Sequence, residues 1–149
     1  MRHLLACCLF PLLCWSPAGA QGQPDPYVKD FTEEHSFLFL LDNRPDDLEE
    51  IRGGITKYIW KFHPGDRLKI TQLRIEGELA EVPVIHVTGF ASHDKAMAFY
   101  KGLKSNLPDF MQLGMTKSFF PVSRSNFEQI VRQGSVAGYE AFFRSHYLP

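Results

Sequence analysis

The sequence predicts an α+β sandwich: a four-stranded antiparallel sheet with two helices between its strands and two more after it. Three observations predict this. Apolar runs of strand length stand at residues 36–41, 68–75, 82–87 and 117–122. Apolar residues at helical spacing fill the longer gaps between them. Gly, Pro, Asn and Asp clusters mark the junctions. Thirteen phenylalanines in 149 residues point to an aromatic core.

Taken in order, Phe37-Leu38-Phe39-Leu40-Leu41 is an unbroken apolar run, which implies a strand buried on both faces. Asn43-Arg44-Pro45-Asp46 is a turn. Asp46 or Asp47, with Glu49 or Glu50 three residues on, makes a capping-box start for a helix. Leu48, Ile51, Ile55, Tyr58, Ile59 and Phe62 form its apolar stripe. Gly53-Gly54 inside that helix costs about 1 kcal/mol per glycine relative to alanine, and close packing of helix on sheet is the expected return.

His63-Pro64-Gly65-Asp66 ends the helix, and Leu68 to Ile75 is a second strand. Its apolar parity switches between Ile70 and Leu73, which fits a bulge or an edge position. Glu76-Gly77-Glu78 turns into a third strand over Val82 to Val87, with Pro83 near its start. Ser92 caps a helix whose apolar face is Ala96, Phe99, Tyr100 and Leu103, closed by Asn106-Leu107-Pro108. Lys117 to Val122 is the fourth strand. Ser125 and Glu128 form a capping box for a short helix that Gly134 ends. Val136, Tyr139, Phe142, Phe143 and Tyr147 give the last helix an aromatic face.

Residues 36–75 and 84–122 each read strand, helix, strand. Two such units make a ferredoxin-like β-α-β-β-α-β sandwich with one sheet face left uncovered. An apolar first strand requires a cover for that face. The candidates are the C-terminal helices, a second copy packed sheet to sheet, or a ligand, and the aromatic last helix comes first.

The N-terminus reads as an address. Arg2, the apolar stretch Leu4 to Trp15 and the small residues Ala18-Gly19-Ala20 make a secretory signal over residues 1–20, cleaved after Ala20. Cleavage leaves 129 residues, no cysteine and a net charge of -2 in place of -1. All three cysteines (Cys7, Cys8, Cys14) fall in the signal. Cys14 follows the large Leu13, so a soluble periplasmic or secreted chain is expected over a lipoprotein. Residues 21–34 are polar and proline-marked, a flexible lead-in to a single domain over 35–149. The mature chain is expected to carry no transmembrane span.

Chemistry is constrained mainly by what the pattern lacks. The histidines after the signal (His35, His63, His86, His93, His146) have no metal-ligand spacing, so no metal or cofactor is expected. No Gly-x-Ser-x-Gly elbow exists, and Ser92-His93-Asp94 are consecutive at a helix start, where they cannot face one another. An acylphosphatase-like hydrolase relying on Asn43 and Arg44 is the enzymatic alternative, but the glycine-rich phosphate cradle is missing. The net charge argues against nucleic acid. What remains is binding. His86 and Thr88 are placed on the open sheet face, where they would hydrogen-bond a ligand. Trp60, near a helix end, reads as a core anchor or an exposed contact residue.

Two resemblances bear on this. Val87-Thr88-Gly89-Phe90, followed by Ala96 and Leu103, resembles the strand-glycine-phenylalanine-helix pattern of SPOR domains, which implies periplasmic peptidoglycan binding. His35-Ser36-Phe37, Phe90, Lys95-Ala96, Tyr100, Asn126-Phe127, Tyr139, Phe142-Phe143 and Tyr147 are similar to the C-terminal module of tetratricopeptide envelope proteins of the Bacteroidota, including lipoproteins linked to type IX secretion and gliding. That resemblance implies a non-catalytic envelope module. The expectation is therefore a non-enzymatic exported binding or scaffold domain. Its partner would be an envelope protein or, alternatively, peptidoglycan, and a homodimer is a further arrangement.

Overall fold

A computed structural model describes residues 26–42, 47–112 and 114–148. The expected signal segment with its cysteines, the expected turn at Asn43-Arg44, Asp46 and the side chain of Asp47 lie outside the described residues, and the expected helix cap with them. The chain is α+β, with a four-stranded antiparallel sheet and four helices among the described residues. The elements are β1 (His35–Leu41), α1 (Asp47–Phe62), β2 (Lys69–Leu73), β3 (Val84–Phe90), α2 (His93–Phe110), β4 (Thr116–Ser123), α3 (Arg124–Gln133) and α4 (Tyr139–His146). A 3₁₀ turn, Gly77–Leu79, precedes β3. The strand order is β2-β3-β1-β4, so β1 and β3 are central and β2 and β4 are edges.

Register assigns the two faces. Leu38 is level with His86 on β3 and Phe120 on β4, and Phe39 is level with Ile85 and Phe119. The Phe37–Phe39 face packs under α1 and α2. Phe99 of α2 is its hub, meeting Phe37 at 5.0 Å, Tyr58 of α1 at 5.2 Å and Phe90 at 5.2 Å between ring centroids. Edge-to-face aromatic contacts of this kind add about 0.5–1.5 kcal/mol each to the burial itself.

The other face is covered by the chain's own C-terminus. Phe127 of α3 lies over His86, Ile130 is fully buried, and Tyr139 of α4 packs on Phe120 at 4.9 Å. The first of the expected covers is the one present, and the sheet face is not open. A dimer packed sheet to sheet loses its surface for the same reason.

Several local expectations change. β2 stops at Leu73 and shows no bulge, so its parity switch marks an edge strand exposed on both sides. β3 starts at Val84 and runs on to Phe90. α2 continues through Pro108, because the helical turn resumes beyond it with Met111 N–H donating to Leu107 O at 2.9 Å. Ser92 caps α2 as expected, accepting from Lys95 N–H at 3.3 Å.

Gly54 serves helix-on-helix packing, not helix on sheet. A Cβ there would sit 2.0 Å from the Phe110 carbonyl of α2. Gly134 ends α3 in the left-handed conformation at φ +64, as its position predicts.

The capping box at Ser125 and Glu128 is replaced by a distant partner. The Glu33 carboxylate accepts from Ser125 N–H at 2.9 Å and from Ser125 Oγ–H at 2.8 Å. Asn126 pairs with the Val28 backbone in both directions, each bond 2.8 Å. Tyr27 is buried, donating its hydroxyl toward Gln133 and Ala137 and meeting Tyr139 edge-to-face at 4.9 Å. Residues 27–34 thus form a strap docked along α3 and α4, which corrects the expected flexible lead-in for these residues.

Candidate binding surface

The three residues singled out from sequence separate into two places. His86 and Thr88 lie on the α3 side of the sheet and help line a cavity of about 240 Å³ with Ser36, Arg124 and Phe127. His86 is buried, with Phe127 stacked on its ring at 4.4 Å and 16°. Its Nε2 has no hydrogen-bond partner among the described residues. Burial pushes its pKa below the usual 6.5, so it is held neutral. An exposed sheet platform carrying His86 is therefore corrected: α3 roofs it, and only Thr88 keeps partial exposure.

Sequence reading did not single out a neighbouring aromatic and histidine cluster. His35 is buried at the start of β1. Its Nδ1 lies 2.8 Å from Glu33 O, which can only accept, so Nδ1 carries the proton. Nε2 then accepts from Tyr147 Oη–H at 3.0 Å. Desolvation, with a smaller contribution from the nearby His93, lowers the His35 pKa. Burial pushes Tyr147 up to about 12. Phe31 stacks on His93 at 3.9 Å and meets Tyr147 at 5.0 Å. Both histidine nitrogens of His35 are occupied by protein groups, so the cluster fastens the strap to α4. Its signal in the sequence was only the recurrence of aromatic and histidine residues at both ends of the domain.

Trp60 stands on the opposite side of the sheet. It is 80% exposed on α1, so the core-anchor reading is corrected. The apolar stripe of α1 falls on Ile51, Ile55, Tyr58 and Ile59, and each residue turns about 100° around the axis. Position 60 is therefore carried off the buried side.

Trp60 borders a groove of about 210 Å³ between α1 and β2, with Arg52, Thr56, Ile59, Leu68 and Ile70 as its other walls. Arg52 is the charged wall of this groove, and the segment that contains it is strongly basic. Residues 52–74 carry six basic side chains and one acidic one, while the other residues carry ten basic and sixteen acidic. All six (Arg52, Lys57, Lys61, Arg67, Lys69, Arg74) are exposed. The single acid, Asp66, is engaged by His63 Nδ1 at 2.9 Å. The near-zero total charge conceals this band, which a windowed count along the chain would have found.

No group of three or more His, Cys, Asp or Glu residues among the described residues is arranged to hold a metal ion. Among them, no helix is long and apolar enough to cross a membrane. Thus an exposed indole and a shallow groove walled by apolar residues and Arg52, within a basic segment, form the surface with the strongest binding character.

The chain matches no family model, no curated protein and no solved structure.

Proposed function

We propose that this chain is an exported, non-enzymatic binding or scaffold domain of the bacterial envelope, acting through protein–protein contact on the Trp60 surface. The observation that carries the reading is the 80% exposure of Trp60 beside a groove walled by Ile59, Leu68, Ile70 and Arg52. Tryptophan ringed by polar groups is the residue class that dominates binding energy at protein interfaces. An exported, periplasmic or secreted location rests on the signal pattern at residues 1–20.

We read the sandwich as ferredoxin-like. In support, β1 and β2 are the two strands of the first βαβ unit, and β3 lies between them. That interleaving is the split βαβ arrangement.

The test is a photo-crosslinking amino acid in place of Lys57, illuminated in the cells of origin. A covalent protein adduct that disappears in Trp60→Ala is expected. The absence of any Trp60-dependent protein adduct would overturn the reading. A second reading, peptidoglycan binding, is favoured by the cavity that holds His86, Thr88 and Arg124. It predicts that the domain sediments with purified sacculi and that Thr88→Val together with Arg124→Ala releases it. A domain that stays in the supernatant at every salt concentration excludes it.

A further inference from the structure

We infer that the outer edge of β2 receives an extended acidic segment of a partner protein as an added strand, beneath Trp60. The inference rests on the protein-binding reading above and specifies the partner's chemistry.

Among the described residues β2 pairs only with β3. Alternate residues of an antiparallel edge strand direct N–H and C=O groups away from the sheet. A second strand would lie about 4.8 Å farther out and satisfy them. β2 is also well suited to a guest. Its burial is the lowest of the four strands, with Lys69, Thr71 and Gln72 exposed.

Side chains of an added strand alternate between the two faces. Ile70 is level with Val87 on the α1 side, and Ile70 and Trp60 share one groove. An apolar guest residue on that side would continue the Ile70 row and meet the indole. Lys69 and Thr71 lie on the other face, level with Thr88 and His86.

Charge selects the occupant. Arg67 and Lys69 stand at the start of β2, Arg74 just past its end and Arg52 on the groove wall. The segment that contains them carries a net charge of +5 in a chain of net -1. A second copy paired β2 to β2 would bring two such bands together, which like-charge repulsion opposes. An acidic guest meets Arg67 and Lys69 at one end of the strand and Arg74 at the other, where Glu81 lines the same cleft. Polyanions without a peptide backbone would meet the charge but leave the strand's polar groups to water.

The experiment titrates the full chain with a synthetic ten-residue peptide alternating glutamate with valine and leucine. Two further peptides of the same sequence are N-methylated at alternate backbone nitrogens, one in each phase. Saturable binding with slowed amide exchange at Lys69–Leu73 is expected. N-methylation in the strand-pairing phase should weaken binding about tenfold or more, since it removes the main-chain bonds that supply affinity in this mode. Lys69→Glu with Arg74→Glu, both at exposed positions, should weaken it about tenfold as well.

Equal affinity for peptides methylated in either phase would overturn the inference, as would protection elsewhere in the chain. So would tighter binding of an RNA oligonucleotide or a phosphatidylglycerol vesicle than of the peptide. A dimer in sedimentation with the β2 amides protected would name a second copy as the occupant, which also overturns it. If the peptide fails while the crosslink at position 57 still gives a Trp60-dependent protein adduct, strand addition falls and the protein-binding reading stands. If both fail, both fall.

Discussion

The two edges of one sheet are treated in opposite ways. At β4, Tyr139 of α4 donates its hydroxyl to Pro121 O at 2.9 Å. Phe143 of α4 meets both Phe120 at 6.2 Å and Tyr100 of α2 at 5.1 Å. Tyr100 belongs to the layer on the far face, so α4 reaches it by passing around the strand. Pro121 itself has no N–H to offer a newcomer. Covering a sheet edge with a helix and placing proline on it are two ways proteins prevent strand addition. At β2 neither device is present. The closed edge is aromatic and buried; the bare edge is polar, basic and short. The contrast teaches that the bare edge is kept soluble by charge, which is also what makes it selective.

The strongest way to break the contrast is to reopen β4. Tyr139→Ala removes a fully buried ring and should cost about 3–5 kcal/mol in urea unfolding. It should also produce concentration-dependent association in sedimentation, whereas the wild-type chain, with β2 bare, should not associate. An unchanged mass would show that α4 is not what guards that edge.

Gly54→Ala tests the other side. A methyl group there meets the backbone carbonyl of Phe110, so α1 must shift, at about 1–3 kcal/mol in the same measurement. Because α1 carries Trp60, the variant should perturb exchange at β2 while leaving β4 protected.

Glu33→Ala removes the acceptor that caps α3. A loss of about 1 kcal/mol is expected, close to that of an ordinary N-cap deletion. The pH dependence has a defined sign. His35 and His86 are held below the usual 6.5, so just below that pH the unfolded chain binds more protons than the folded one. The contribution of these two histidines is full well above pH 6.5 and is lost as pH drops through it. His86→Gln should flatten the dependence of the urea midpoint between pH 7 and 5. Trp60→Ala should give the smallest change in stability, within about 0.5 kcal/mol, because the side chain is largely in water. A larger loss would show that the indole serves the fold.

Much of the fold was legible because its causes are local. The apolar run of β1, the Ser92 cap and the glycine after α3 each act within a few residues. The β2 parity switch was legible but two-valued, and pairing to β3 alone decided for an edge over a bulge. The Glu33 cap and the Asn126 bridge were not legible, since their partners lie more than 90 residues away and leave no periodic trace. Trp60 misleads by residue type while its helical phase is informative. His86 was placed on the correct face, but no property of β3 alone announces that Phe127 will lie over it.

The Asn126 bridge also fixes where this domain can be cut. One amide side chain satisfies both the N–H and the C=O of Val28, as a neighbouring strand would. A chain shortened to begin at residue 35 would keep every strand and helix. Yet it would lose the acceptor for the first turn of α3, orphan a buried amide and uncover the ring of Tyr139. The packed domain therefore includes Tyr27, upstream of the first strand, and a tag or fusion belongs before that residue.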